Sequence, residues 1–450
     1  MTSFFSRYST KIQHNTLTVI CVMVFTALSI LMGSYFIKNI SPLKIPDYEM
    51  HLYNIISLSR GNLVTAQPNK TQPVIMIPQK WTTENQQAIS RSVLIRDIVP
   101  SSIHNGGDNW MAQIIETGES QSMVPIRNQY IPIAWAPQAA ALSIANSLGF
   151  SMKNCYIFMR LASLFFYVTL LSICIAIIPQ GKIAATILSL NPYSIFMASS
   201  ISSDTYTIAL TSLFLALIFR LCLEREQSVD YWKKTILITL SVLLFLGKTS
   251  YAAVILLIFV LPEKQFSIKQ KLIYFFSSSL IGGGVYIVWY MFFLHTIPAP
   301  SVDQSMNVQL ILKSPFRAMA SVIINTIFPK DDATWFIKSI SSNLNEGRWM
   351  LLPVTMVALA GISFTIYEKI KSQGKFNIPL LLGVFFATFS AIALTRAFLL
   401  LTWTDIRAGF ITISGFQGRY YLPLIFVLLA PFVAYESRVL NPRASIKGAM

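Results

Sequence analysis

The run LTVICVMVFTALSILMGSYFI, residues 17–37, decides what kind of protein this chain is. It holds no charged side chain, and at about 1.5 Å of helical rise per residue it matches a hydrocarbon core roughly 30 Å thick. Runs of similar length and polarity recur along the chain. Of its 450 residues 54% are hydrophobic and 12% charged, where a soluble domain carries about a quarter charged. A β-barrel would instead show alternating segments of about ten residues. The expected fold is therefore all-α and polytopic. The 17–37 run is too long for a signal-peptide core and lacks a small-residue cleavage site, so it reads as a retained first span.

The net charge of +16 does not point to nucleic acid, because of where the basic residues fall. They gather in short loops between apolar runs: Arg220, Arg225, Lys233 and Lys234; Lys264, Lys269 and Lys271; Lys369, Lys371 and Lys375. Others stand at the two ends, Arg7 and Lys11, then Arg438, Arg443 and Lys447. That is the positive-inside pattern, and it places these loops and both termini in the cytoplasm. The four cysteines, Cys21, Cys155, Cys174 and Cys222, lie in or beside apolar runs without a CxxC pair. They read as small apolar packers.

From the first span outward, residues 38–128 form a long external loop with an interfacial helix, and NGGDNW at 105–110 reads as a turn within it. Residues 130–435 hold the remaining spans, and 436–450 form a cytoplasmic tail. A span over 130–149 is expected to return inward, and one over 156–178 to leave again from a cytoplasmic start marked by Lys153 and Arg160. The parity then fails. The basic loop after 205–223 puts Asp204 outside, yet a full span over 182–199 would put it inside. Some piece between 156 and 203 must be broken or re-entrant, and Asn191–Pro192 is the evident break. Residues 235–246 and 250–261 read as a hairpin of short helices whose tip carries Lys248 on the external side. Further on, 273–294 goes outward, PFRAMASVIINTIF at 315–328 reads as a partial span, 349–367 goes inward, 378–401 outward, and 421–435 is the last span. The total is about ten to thirteen spans, with no internal repeat.

Four places carry chemistry-bearing residues. In IPDYEMHLYNIISLSRGN, 45–62, Asp47 and His51 are four apart and share a helical face, while Glu49 points elsewhere. With Pro46 in the first turn, Asp47 suits a helix N-terminus, and Leu52, Ile55 and Ile56 form an apolar stripe for an interfacial helix. The plainer reading is a capping aspartate beside an exposed histidine; the functional one is a carboxylate held at the membrane surface as general base or metal ligand. Lys248 is either a snorkelling side chain or a cation facing a cavity or an anion. Asp204 suits an N-cap for the next span. In GFQGRYYLP, 415–423, Arg419 offers a fork that suits phosphate, or it is a simple interfacial anchor beside belt tyrosines.

An ordered series of motifs covers most of the chain: PDYEMH, IAWAPQAAALSIANSLG, RLASLFFYV, NPYSIFMASSISSDTYTIAL, LGKTSYAAVILLIFVLP, SPFRAMASVIINTI and GFQGRYYLPLIFVLLAP. In this order they resemble the bacterial membrane-protein family known as domain of unknown function 2142, within the GT-C group of polyprenyl-phosphate-dependent glycosyltransferases. The family's opening motif reads P-D-E-x-x-H. Here Asp47 and His51 match, Tyr48 replaces the second acid, and Glu49 is displaced by one residue. An arginine common a few residues later is absent, with Asn54 near its place. These departures leave the role of the aspartate intact and weaken a two-acid or metal-binding scheme.

The resemblance implies a GT-C-like fold in the bacterial cytoplasmic membrane with its active site on the external face. It implies transfer of a sugar from a polyprenyl-phosphate donor, held among membrane lipid, to an external glycan or lipid-linked acceptor. Asp47 would be the general base, and Lys248 and Arg419 would bind the donor phosphate. His51, Glu49, Asp204, Gln417 and Tyr420 would support the site. No cofactor follows, and a divalent metal is compatible but not implied. Two rivals stand beside this reading: a transporter or flippase for lipid-linked saccharides, and a GT-C-like assembly protein without activity. A transporter should carry repeat-related broken helices and charges at the bilayer midplane.

Overall fold

The computed structural model describes residues 2–40, 47–61, 74–78, 121–125, 130–223, 231–292, 302–328, 375–410 and 412–436, with isolated positions at 359–361, 363 and 367. The turn expected at 105–110, Pro46, and almost all of the span expected at 349–367 lie outside them. Among the described residues the elements are helices, apart from two short antiparallel pairs. β1 (Val74–Pro78) pairs with β2 (Gln121–Pro125), and β3 (Lys375–Phe376) with β4 (Tyr435–Glu436).

Five helices are long and apolar enough to cross a membrane: Asn15–Asn39, Lys153–Ile177, Asp204–Leu223, Ile268–Met291 and Ile378–Thr402. They fall within α1 (Thr2–Asn39), α4 (Met152–Ile177), α7 (Asp204–Leu223), α9 (Ile268–Phe292) and α12 (Ile378–Thr402). α10 (Gln304–Lys313) and α11 (Pro315–Ile327) meet at 104°, at the partial span expected from sequence, and add a sixth if counted together. The described residues thus yield five or six long spans, where the sequence suggests ten to thirteen.

Part of the difference lies in short helices. The two apolar stretches Thr249–Val260 and Gly418–Leu429 are wound as 3-10 helices of 12 residues each. At about 2.0 Å of rise per residue such a helix reaches roughly 24 Å, against about 18 Å for an α-helix of that length. Gly418–Leu429 continues into α13 (Ala430–Ala434), so the last apolar segment comes close to the hydrocarbon thickness despite its few residues.

α7 is the central post. It is apolar on every face, the signature of a helix enclosed by others, and most of its residues are buried, where most of the α1 span is not. α1 packs antiparallel on α4. Gly33 permits the close approach, since a Cβ there would run into the Leu164 side chain, and Thr26 Oγ1 meets Ser172 Oγ at 3.2 Å.

The structure corrects the direction expected for 130–178. α3 (Ala136–Ser147) has 12 residues, about 18 Å of helix, and follows a 3-10 turn over Pro132–Trp135. It does not cross. Arg160, expected to mark a cytoplasmic start, is buried, and its guanidinium donates to the carbonyls of Phe36, Ile37 and Ile40 at the C-terminal end of α1. α4 therefore starts at the end of the molecule where α1 finishes and runs back alongside it. At the far end Lys182 Nζ donates to the carbonyls of Ile175, Ala176 and Ile178. The chain then returns through α5 (Lys182–Ser189) and α6 (Pro192–Ala198), broken where the Asn191 side chain accepts from the Tyr193 and Ser194 amides. With a short α3 and a broken return, Asp204 lies at the same end as the close of α1, and the parity problem disappears.

Candidate functional site

Four charges from four separate places in the chain meet at that end. Asp47 precedes α2 (Tyr48–Ser59), Asp204 opens α7, Lys248 joins α8 (Tyr231–Leu246) to the 3-10 helix Thr249–Val260, and Arg419 is the second residue of the 3-10 helix Gly418–Leu429. Lys248 Nζ donates to Asp204 Oδ1. Arg419 Nη1 stands 3.6 Å from Asp204 Oδ2, and Arg419 Nη2 donates to Asp47 Oδ2. The result is one line of alternating charge, Lys248–Asp204–Arg419–Asp47, with two positive and two negative groups.

Each member is held locally. Asp47 has φ 56° and ψ 29° and is the one non-glycine residue at positive φ among those described. Aspartate tolerates this left-handed backbone better than most residues, and such outliers gather at functional sites. Its carbonyl accepts the His51 amide at 3.1 Å and so starts α2, while its side chain makes no cap bond and turns to Arg419 instead. The capping reading of Asp47 is overturned. Asp204 is not a cap either: it lies within α7, and its own amide donates to Ser202 Oγ at 3.1 Å. The Gly247 backbone presses on α7 so closely that a Cβ would stand 2.9 Å from Tyr206 Cε1, which seats Lys248 against the central helix.

Aromatic rings enclose the cations. Lys248 Nζ lies 5.4 Å from the Tyr130 ring centroid and 5.1 Å from that of Tyr420, and Arg419 Cζ is 5.7 Å from Tyr420. Tyr251 donates its hydroxyl to the Tyr420 carbonyl at 2.5 Å, tying the two 3-10 helices together beside the charges. Burial, with Asp204 nearby, pushes the Tyr130 phenol up, so this ring stays neutral beneath the lysine.

His51 is buried, not exposed, and seven successive residues from His51 to Ser57 are buried. α2 is therefore wrapped by protein on all faces, where its stripe suggested a helix with one apolar side. Trp135 Nε1 donates to His51 Nδ1 at 3.0 Å, and His51 Nε2 meets Ser202 Oγ at 3.2 Å. An indole N–H can only donate, so Nδ1 carries no proton and Nε2 carries the one of a neutral ring. Burial drives the imidazole down to about 4 in agreement. His51 thus fixes the acid before α2 relative to the serine loop that holds Asp204. It is a strut, not a proton acceptor.

Exposure separates the four charges. The Asp47 side chain is 43% accessible, those of Asp204 and Arg419 are 4% and that of Lys248 is 10%. Burial pushes the Asp47 carboxyl up, but its neighbours, the Arg419 guanidinium first among them, together leave it below the usual carboxylate range. Arg419 Nε and Nη1 and Asp204 Oδ2 are buried without a hydrogen-bond partner among the described residues. Among the same residues no three His, Cys, Asp or Glu side chains gather as metal ligands.

Six of the eight residues singled out in the sequence, Asp47, His51, Asp204, Lys248, Arg419 and Tyr420, share this cluster. Gln417 contributes its carbonyl, which accepts the Tyr420 amide at 3.0 Å, and lies just before the helix. The Glu49 side chain lies outside the described residues. Sequence reasoning missed Trp135, Ser202 and Tyr130. The first two sit inside quoted motifs, but nothing in their spacing reveals a histidine partner 84 or 151 residues away.

No curated protein and no solved structure matches the chain. A family model described as predicted membrane protein (DUF2142) matches residues 28–428. That match runs from the first span through the final 3-10 helix and takes in all four clustered charges, and the chain belongs to the DUF2142 family of predicted membrane proteins.

Proposed function

We propose that the chain is a GT-C-type glycosyltransferase that moves a sugar from a polyprenyl-phosphate donor to an external glycan or lipid-linked acceptor. The site would face the outside of a bacterial cytoplasmic membrane. One observation carries the reading: Asp47, the accessible acid, stands in direct contact with a buried cation at the mouth of a helical bundle. A polyprenyl tail cannot leave the bilayer, so the anomeric carbon of its sugar is confined to just that depth. An acceptor hydroxyl would give its proton to the Asp47 carboxylate while its oxygen attacks the anomeric carbon from the face opposite the phosphate. The carbon–oxygen bond to phosphate breaks, its electron pair leaves on the phosphate, and the configuration inverts. The leaving group is an anion, so it needs positive charge more than an acid. Arg419 and Lys248 would supply that charge, and their aromatic surroundings keep water from weakening it.

The test is purified full-length protein in nanodiscs with polyprenyl-phosphate sugars and a glycan acceptor, read as release of polyprenyl phosphate. Asp47→Asn is expected to reduce turnover by about a thousandfold, within the usual range for loss of a general base. Turnover surviving in that variant removes Asp47 as the base. Movement of intact lipid-linked sugar between leaflets, without release of polyprenyl phosphate, would favour the transporter reading.

A further inference from the structure

The four charges sum to zero, and this constrains how an anion can enter. A phosphate brought to Arg419 would leave a buried cluster with an uncompensated negative charge, which is strongly unfavourable. One of the resident carboxylates must therefore give way. Asp204 cannot, being 4% accessible and shared between Lys248 and Arg419. Asp47 can. It is 43% accessible, it holds Arg419 through a single oxygen, and its backbone is in the left-handed conformation just before α2. Arg419 meanwhile has Nε and Nη1 buried and without a hydrogen-bond partner among the described residues.

We infer that a phosphate oxyanion of a lipid headgroup binds Arg419 by exchange with Asp47, so that ligand binding frees the carboxylate that the ion pair had held. The inference rests on the proposed function for the identity of the phosphate lipid, and adds to it an order of events. Before exchange, Asp47 is engaged by Arg419 and is a weak base, consistent with its lowered carboxyl. After exchange, it loses that cation at the moment the donor is seated, and its affinity for the acceptor proton rises. A base activated only by the bound donor protects the reactive lipid from idle proton traffic.

The experiment is a titration of the full-length protein in nanodiscs with polyprenyl monophosphate, which carries no sugar and cannot turn over. Asp47→Asn retains the shape but not the charge that competes for Arg419. It is expected to bind about tenfold more tightly than the unaltered chain, about 1.4 kcal/mol. Asp47→Gly, which suits the backbone at φ 56°, must show the same direction. Unchanged or weaker binding in both variants overturns the exchange, whatever the transfer assay gives. Tightening seen with inorganic phosphate but not with polyprenyl phosphate overturns the lipid headgroup as the source. Conversely, tightening for polyprenyl phosphate without detectable sugar transfer supports the exchange while sinking the transferase reading, so the two fail separately.

Discussion

Two buried arginines at the same end of this molecule are used in opposite ways. Arg160 donates to four carbonyls, those of Phe36, Ile37, Ile40 and Ser199. These lie at or just beyond the C-terminal ends of α1 and α6, where the helix dipole favours a cation. Arg419 instead faces two carboxylates, and two of its donor nitrogens have no hydrogen-bond partner among the described residues. The first arginine is a staple between helices. The second keeps donor nitrogens that no acceptor among the described residues takes up. Burial and charge do not by themselves mark a site; what marks it is how the donors are spent.

Substitutions should separate the two junctions. Arg160→Met strands several helix-end carbonyls and is expected to cost on the order of 4 kcal/mol, read as a fall in melting temperature in detergent. The folded fraction should still bind polyprenyl phosphate as the unaltered chain does. Lys248→Met leaves Asp204 buried with less compensation and should cost about 3 kcal/mol, while Lys248→Met with Asp204→Asn should recover to within about 1 kcal/mol of the unaltered protein. Failure of that rescue would mean the pair does more than neutralise itself.

The histidine strut gives a smaller, pH-dependent effect. His51 titrates at about 4 in the folded chain against 6.5 as its ordinary value, so folding favours its neutral form. Its contribution is complete above the unfolded value and drains away as pH falls from there toward the folded one. Stability should therefore decline over that window by at most about 3 kcal/mol, read as a falling melting temperature, and His51→Gln should flatten the decline. Smallest of all, Arg419→Lys keeps the charge but loses the fork. Its stability should change by no more than about 1 kcal/mol while polyprenyl-phosphate affinity drops about tenfold; an equal change at Arg160→Lys would erase the distinction drawn here.

Much of the site was legible because charge is conspicuous in so apolar a chain. Asp47, Asp204, Lys248 and Arg419 each follow or precede an apolar run, and their positions relative to the spans place them at one end. Their mutual contacts were not legible, since Arg419 and Asp47 are 372 residues apart. Proline chemistry marks the break at Asn191–Pro192, and the structure has it there. Arg160 misled for a physical reason: a sequence shows a basic residue near the start of a span, but not whether it meets water or carbonyl groups. The missing crossing at 130–149 has a similar cause, because a short helix and turn packed inside protein can be as apolar as a span. The 3-10 winding of Thr249–Val260 and Gly418–Leu429 has no marker in composition, so their reach could not be judged from length alone.

The most direct test is a cryo-electron microscopy structure of the full-length protein in nanodiscs with polyprenyl phosphate added in excess. Exchange at Arg419 would place phosphate oxygens about 2.8 Å from its guanidinium, with Lys248 close by and the Asp47 carboxylate turned away from the arginine toward the acceptor side. A headgroup seated elsewhere, with the Asp47–Arg419 pair still closed, would contradict it.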